Sequence, residues 1–189
     1  MAAIHETAYP RIKPNLNRKE IRELFTPTID ELTLLNWKTK QALPVLRLGF
    51  MLTLKYYQCL GRPIKIQNIM SAIKKYVATQ IGVDPELSLS GYSKLTRLRH
   101  IKVIRGYLNI NIDRKERRQI IKTAALGAAT KKENLADIIN IVLEELIKSN
   151  FELPAFPKLE GRPSLFNFLT LGQLNNFYNF KSPYIYRLF

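Results

Sequence analysis

From Pro44 to Leu60 the chain presents apolar side chains in nearly every direction a helix can point. Val45, Leu48, Leu52, Tyr56 and Cys59 form one stripe at helical spacing, and Phe50, Met51, Leu54, Tyr57 and Leu60 fill most of the remainder. A helix of this kind is stable in water only when other elements cover all its sides, since each large apolar side chain gains ~1.5–3 kcal/mol on full burial. The segment is shorter than the ~20 residues of a bilayer span, and it carries Arg47, Lys55 and Gln58. It is therefore expected at the centre of a helical protein. Pro44 suits a first helical position because the N–H it lacks is not needed there, and Gly61 with Pro63 ends the run.

The rest of the chain supplies helices to surround it. A Ser, Thr, Asp or Asn three positions before Glu can satisfy two free N–H groups reciprocally at a helix start. Asn17 with Glu20, Thr28 with Glu31, Asp113 with Glu116 and Thr130 with Glu133 all have this form. With the apolar spacing behind them they predict helices over 18–25 and 28–40, the latter carrying Leu32, Leu35 and Trp37. Further helices are expected from about Gln67 to Ile81, from Ser93 to Asn109, from Asp113 to Ala129 and from Lys131 to Ser149. Asp84-Pro85 and Ser90-Gly91 mark a loop over Val83–Tyr92. Only Leu108–Ile112 alternates like a strand, and it reads equally well as an extended connector.

The expected fold is all-α, a compact bundle of about six to seven helices, with the two basic helices after Ser93 resembling a helix-turn-helix pair. Residues 1–150 form the helical region, either as one core or as two sub-bundles over 1–82 and 92–150. A Pro-punctuated link over 151–161 follows. Residues 162–189 form an atypical tail, aromatic, free of acids and without helical patterning.

Charge narrows the partners. Among 189 residues, 30 Lys+Arg stand against 15 Asp+Glu, a formal net charge of +15. Such a field favours nucleic acid or an anionic membrane surface. The cations are also concentrated: Lys94, Arg97, Arg99, Lys102, Arg105, Arg114, Lys115, Arg117 and Arg118 are opposed only by Asp113 and Glu116. Arg99, Lys102 and Arg105 recur every third residue, away from the Ile104 and Tyr107 side, and could follow a phosphate backbone. Lys115, Arg117 and Arg118 lie in the opening turns of their helix, where the macrodipole disfavours cations by ~0.3–1 kcal/mol each. A bound phosphate would offset this, placing Lys115, Arg118 and Gln119 near base edges. His100, set among the arginines, reads either as a phosphate contact or as a core histidine. A charge run is also, more often than not, a solvated helix face.

Support for catalysis is thin. Cys59 is the single cysteine and sits in the most apolar helix; His5 and His100 have no partner at metal-ligand spacing; no Gly-rich phosphate loop occurs. Asp137, Glu144 and Glu145 read as solvated charges on an amphipathic helix. No metal, cofactor or small-molecule substrate is expected. The N-terminus shows no secretory pattern, so a cytoplasmic, nucleoid-associated protein of a bacterium is expected.

Several segments, taken in order, resemble a known family. Ile4-His-Glu-Thr-Ala-Tyr-Pro-Arg11, Phe25-Thr-Pro-Thr28, Arg47-Leu-Gly-Phe50, Leu54-Lys-Tyr-Tyr-Gln58 and Leu60-Gly61 are similar to the N-terminal region of Tn-three family transposases. Tyr92-Ser-Lys-Leu-Thr-Arg-Leu-Arg-His100 with Ile104-Arg105 resembles that family's basic stretch, and Phe151-Glu-Leu-Pro-Ala-Phe156 its link to later domains. The resemblance implies a helical region that binds double-stranded DNA at the terminal inverted repeats of a replicative class II transposon. The family's three catalytic carboxylates, which hold Mg²⁺ in an RNase-H-like domain, lie far downstream, so it implies no catalytic or metal role here. The tail after Lys158 departs from the family and reads as the product of truncation or a frameshift. Two other readings fit: a fragment that pairs with full-length transposase and inhibits transposition, or a gene product with no selected role.

Overall fold

The structure, a computed structural model, describes residues 7–39, 43–132 and 134–154. These form an all-α fold of seven helices: α1 (Arg18–Phe25), α2 (Ile29–Thr39), α3 (Pro44–Leu60), α4 (Ser71–Gln80), α5 (Lys94–Tyr107), α6 (Arg114–Ala129) and α7 (Leu135–Lys148). The chain divides into two compact units. Pro10–Ile110 is one, holding α1 to α5; the described residues outside it, 7–9, 111–132 and 134–154, belong to the other, holding α6 and α7.

In the first unit α3 occupies the centre, as its apolar surface requires. Leu48, Phe50, Met51, Leu52 and Leu54 are wholly buried, and α1, α2, α4 and α5 all pack on this helix. Phe25 of α1, Leu35 of α2, Ile73 and Val77 of α4, and Ile101 and Ile104 of α5 complete the core. The rings of Phe25 and Tyr56 meet at 5.3 Å and 60°, a tilted aromatic contact. Gly61 ends α3 in the left-handed region at φ 63°, a conformation glycine adopts without steric cost.

One buried polar cluster joins α2 to α3. Glu31 accepts the Thr28 N–H at 2.8 Å and donates its own N–H to Thr28 Oγ1 at 3.3 Å, closing the expected box. The same carboxylate pairs with Lys55 Nζ at 3.2 Å and accepts from Gln58 Nε2 at 2.6 Å, with Glu31 2% and Lys55 7% exposed. So complete a set of partners is what permits a carboxylate and an ammonium inside an apolar core. Nothing in the spacing distinguished Lys55 from an ordinary solvent-facing lysine.

The second unit is a helix hairpin with its own core. Ile121 and Ala125 of α6 pack with Ile139, Val142, Leu143 and Leu146 of α7, capped by Phe151 and Leu153. The N-terminal segment closes this core: Tyr9 is buried in it, the Ala8 N–H donates to Asn140 Oδ1 at 2.7 Å, and the Tyr9 hydroxyl donates to the Pro154 carbonyl. The expected alternation over Leu108–Ile112 resolves to a connector whose Asn111 makes a single parallel bridge to Phe151.

The boundary between units falls at Ile110–Asn111, and the Val83–Tyr92 loop lies inside the first unit. The reason is packing. Val83, Leu87 and Leu89 join the α3 core, Lys74 Nζ donates to the Leu87 carbonyl at 3.1 Å, and Ile101 with Ile104 holds α5 there. The division thus falls after α5, and the two helices expected as a helix-turn-helix pair, α5 and α6, belong to different units. Two helix starts also differ. A 3-10 turn at Ile66–Asn68 precedes α4, and α7 begins after Asn134, whose side chain accepts from the Ala136 N–H. Thr130 caps the end of α6 instead of opening α7; Glu133, its expected partner, lies outside the described residues, as do His5, Trp37's side chain and the tail. Among the described residues no helix is long and apolar enough to cross a membrane.

Removing one member of the Glu31–Lys55 pair strands the other charge in the core. Lys55→Met and Glu31→Gln are each expected to lower the unfolding free energy by ~3–5 kcal/mol, and the double substitution to recover most of it. Urea titrations of the three variants check this by the size of the non-additivity.

Candidate nucleic-acid interface

The orientation of α5 decides which of its cations reach solvent. Ser93 caps its start, accepting the Thr96 N–H at 3.1 Å. Just before the cap, the Tyr92 ring lies flush against Gly49 of α3: a Cβ at Gly49 would fall 2.6 Å from Cγ of that ring. The Tyr92 hydroxyl stands 2.8 Å from His100 Nδ1 and 3.3 Å from Thr53 Oγ1. Burial pushes the Tyr92 phenol up to about 12, so it stays protonated and can donate to an unprotonated Nδ1. The His100 ring also meets Phe50 edge-on at 5.1 Å, and burial lowers its pKa.

His100 is thus half-buried, its ring held between Tyr92 and Phe50 on the inner side of α5. Arg97 is turned inward as well: it is half-buried, and Nη1 donates to the Ile64 carbonyl at 3.0 Å. Lys94, Arg99 and Lys102 are exposed. Arg105 is half-buried, because each three-residue step falls ~60° short of a full turn and the row Arg99–Lys102–Arg105 drifts toward the core. Ile104 is buried as expected, whereas Tyr107 is partly exposed.

In α6 the cations have a different setting. Asp113 Oδ1 accepts the N–H groups of Lys115 at 2.7 Å and Glu116 at 3.0 Å, bonds that hold its carboxyl below the usual range. Glu116 accepts from Asn111 Nδ2 at 2.8 Å. The N-terminus of α6 is therefore occupied by its own carboxylate, and the macrodipole cost of the first-turn cations is offset within the chain. A phosphate is not required at those N–H groups. Arg114, Lys115 and Arg118 are exposed, Arg117 is half-buried, and Gln119 is exposed with Nε2 3.3 Å from Thr123 Oγ1.

The basic residues thus form two sets, one on each unit. Among the described residues, no carboxylate is in ion-pair range of Lys94, Arg99, Lys102, Arg114, Lys115 or Arg117. No group of His, Cys, Asp and Glu among them could hold a metal ion. A groove of about 510 Å³ between α6 and α7, edged by Gln119, Lys131 and Lys132 and floored by Ala124, Gly127 and Ala128, had no warning in the spacing.

Gly49→Ala is expected to displace Tyr92 and cost ~1–3 kcal/mol, read by thermal melting. His100 supplies a pH test. Unfolded, its imidazole takes a proton near 6.5; folded, only at lower pH. Stability present above about 6.5 is therefore lost as pH falls through the folded value. Between pH 7 and 5 the wild type should lose more stability than His100→Gln; an equal loss would remove His100 from this role.

A search of curated proteins and a search of solved structures each found no match. A family model described as a domain of unknown function, DUF4158, matches residues 1–162. That match covers most of the 189 residues, and the chain belongs to the DUF4158 family.

Proposed function

We propose that this chain binds duplex DNA, as the N-terminal segment of a Tn-three family transposase that engages the terminal inverted repeats of its transposon, and that it performs no catalysis itself. The observation that carries the DNA-binding reading is the outer side of α5. Lys94, Arg99 and Lys102 are exposed there, and no acid occurs anywhere between Glu86 and Asp113. A merely solvated helix commonly interleaves its cations with carboxylates, as α1 does with Lys19 and Glu23 at 3.9 Å. Among the described residues, Lys94, Arg99 and Lys102 have no carboxylate in ion-pair range, a pattern suited to a polyanion.

The transposase reading rests on the collinear likeness of the Ile4–Arg11, Phe25–Thr28, Arg47–Phe50, Leu54–Gln58 and Tyr92–His100 segments to that family, and on a family match that spans the same stretch. Binding would begin as electrostatic capture. Each phosphate neutralised by Lys or Arg releases condensed counterions, so log affinity falls with log salt by ~0.9 per phosphate on B-form DNA. The exposed cations of α6 add a second set of contacts of the same kind.

A gel-shift titration on a transposon-end duplex at several salt concentrations tests this. Arg99→Ala with Lys102→Ala is expected to flatten the salt slope by ~2, and Lys19→Ala to leave it unchanged. Salt-independent binding, or no binding at low salt, would overturn the reading.

A further inference from the structure

We infer that the outward face of α5 is a base-reading surface that enters the DNA major groove, with Leu95 and Leu98 seated against thymine methyl groups. The inference rests on the DNA-binding reading above and goes beyond it by naming the groove, the helix and the contacts. Leu95, Leu98, Arg99, Lys102 and Gly106 stand at positions i, i+3, i+4, i+7 and i+11, one continuous stripe along a helix. The buried Ile101 and Ile104, and the inward-turned Arg97 and His100, hold the other side of α5 to its own unit.

Three features of the stripe have no internal explanation. Leu95 is 61% and Leu98 50% exposed, on a helix whose other aliphatic side chains are wholly or partly buried. The cations beside them have no interleaved acid. Gly106 lies within the last turn of α5, where glycine weakens a helix, yet a Cβ there would meet nothing within 4 Å. The chain's own packing therefore does not require a glycine at this position; the close approach of another molecule would.

Duplex DNA meets all three conditions. Its major groove, ~12 Å wide, admits a helix, and each thymine presents a methyl group there for apolar contact. Phosphates flanking the groove take Arg99 and Lys102, and a helix surface without a side chain at Gly106 lets the sugar-phosphate backbone pass close. The first turns of α6 fit less well, because Asp113 and Glu116 would face the same phosphates. The surface also differs from a generic apolar patch in its charge, which selects an anionic partner.

The test uses the 189-residue chain and a duplex that it selects from a random-sequence pool. That duplex is then remade with deoxyuridine replacing each thymidine in turn, which deletes one methyl group at a time. Affinity is expected to fall about fourfold at each contacted position, the equivalent of one buried methyl. Leu95→Ala and Leu98→Ala should lose that discrimination with melting temperature unchanged. Gly106→Gln should weaken binding at least tenfold without lowering the melting temperature. Undiminished discrimination in both leucine variants, or full binding by Gly106→Gln, overturns the inference while leaving DNA binding standing. Selection of no duplex removes both. Displacement of the duplex by polyglutamate at equal charge concentration would assign the face to an acidic protein and equally overturn it.

Discussion

The seating of the Tyr92 ring on Gly49 is the contact from which the functional geometry follows. Gly49 lies in the middle of the most buried helix, where any side chain would occupy the space of the ring. With Tyr92 fixed, its hydroxyl reaches His100 two turns into α5, and Arg97 fastens the same helix to the Ile64 carbonyl. Three attachments set the rotation of α5 about its axis. Rotation alone then determines that Arg99 and Lys102 face water and that Arg97 does not.

This explains what could and could not be read from the order of residues. The all-α class, α3 at the centre and the boxes at Asn17–Glu20 and Thr28–Glu31 follow from spacing and capping chemistry, which act over a few residues. The inward turn of Arg97 and His100 was not legible because a basic run looks uniform until long-range partners rotate the helix. Their partners, Ile64 and Tyr92, are not marked by any periodicity. The unit boundary was hidden for the same reason: Tyr9 and Phe151 close one core from opposite ends of the chain. Thr130 was read as an opening cap because Ser and Thr near a boundary serve either helix; here its hydroxyl donates back to the Gly127 carbonyl of α6.

The segments that carry the likeness to transposases fall mainly on packing residues. Gly49, Phe50, Lys55, Tyr56 and Tyr57 are buried, and Tyr92 and His100 bracket the start of α5. Such residues maintain a scaffold, whereas the exposed cations and leucines between Tyr92 and Arg105 are what a partner would meet. A target sequence, by contrast, would depend on the outward positions.

The electrostatics of the two basic sets also separate scaffold from surface. In α6 the helix start is served by Asp113, whose carboxylate accepts two backbone N–H groups and so puts a negative charge beside the first-turn cations. In α5, Arg99 and Lys102 stand three residues apart without a carboxylate between them, a repulsion of ~0.2–0.5 kcal/mol on a helix surface. That cost is small beside the burial of Ile101 and Ile104, each worth ~1.5–3 kcal/mol, so α3 and its core can hold an unbalanced face in place. Stability and charge are thereby assigned to opposite sides of one helix.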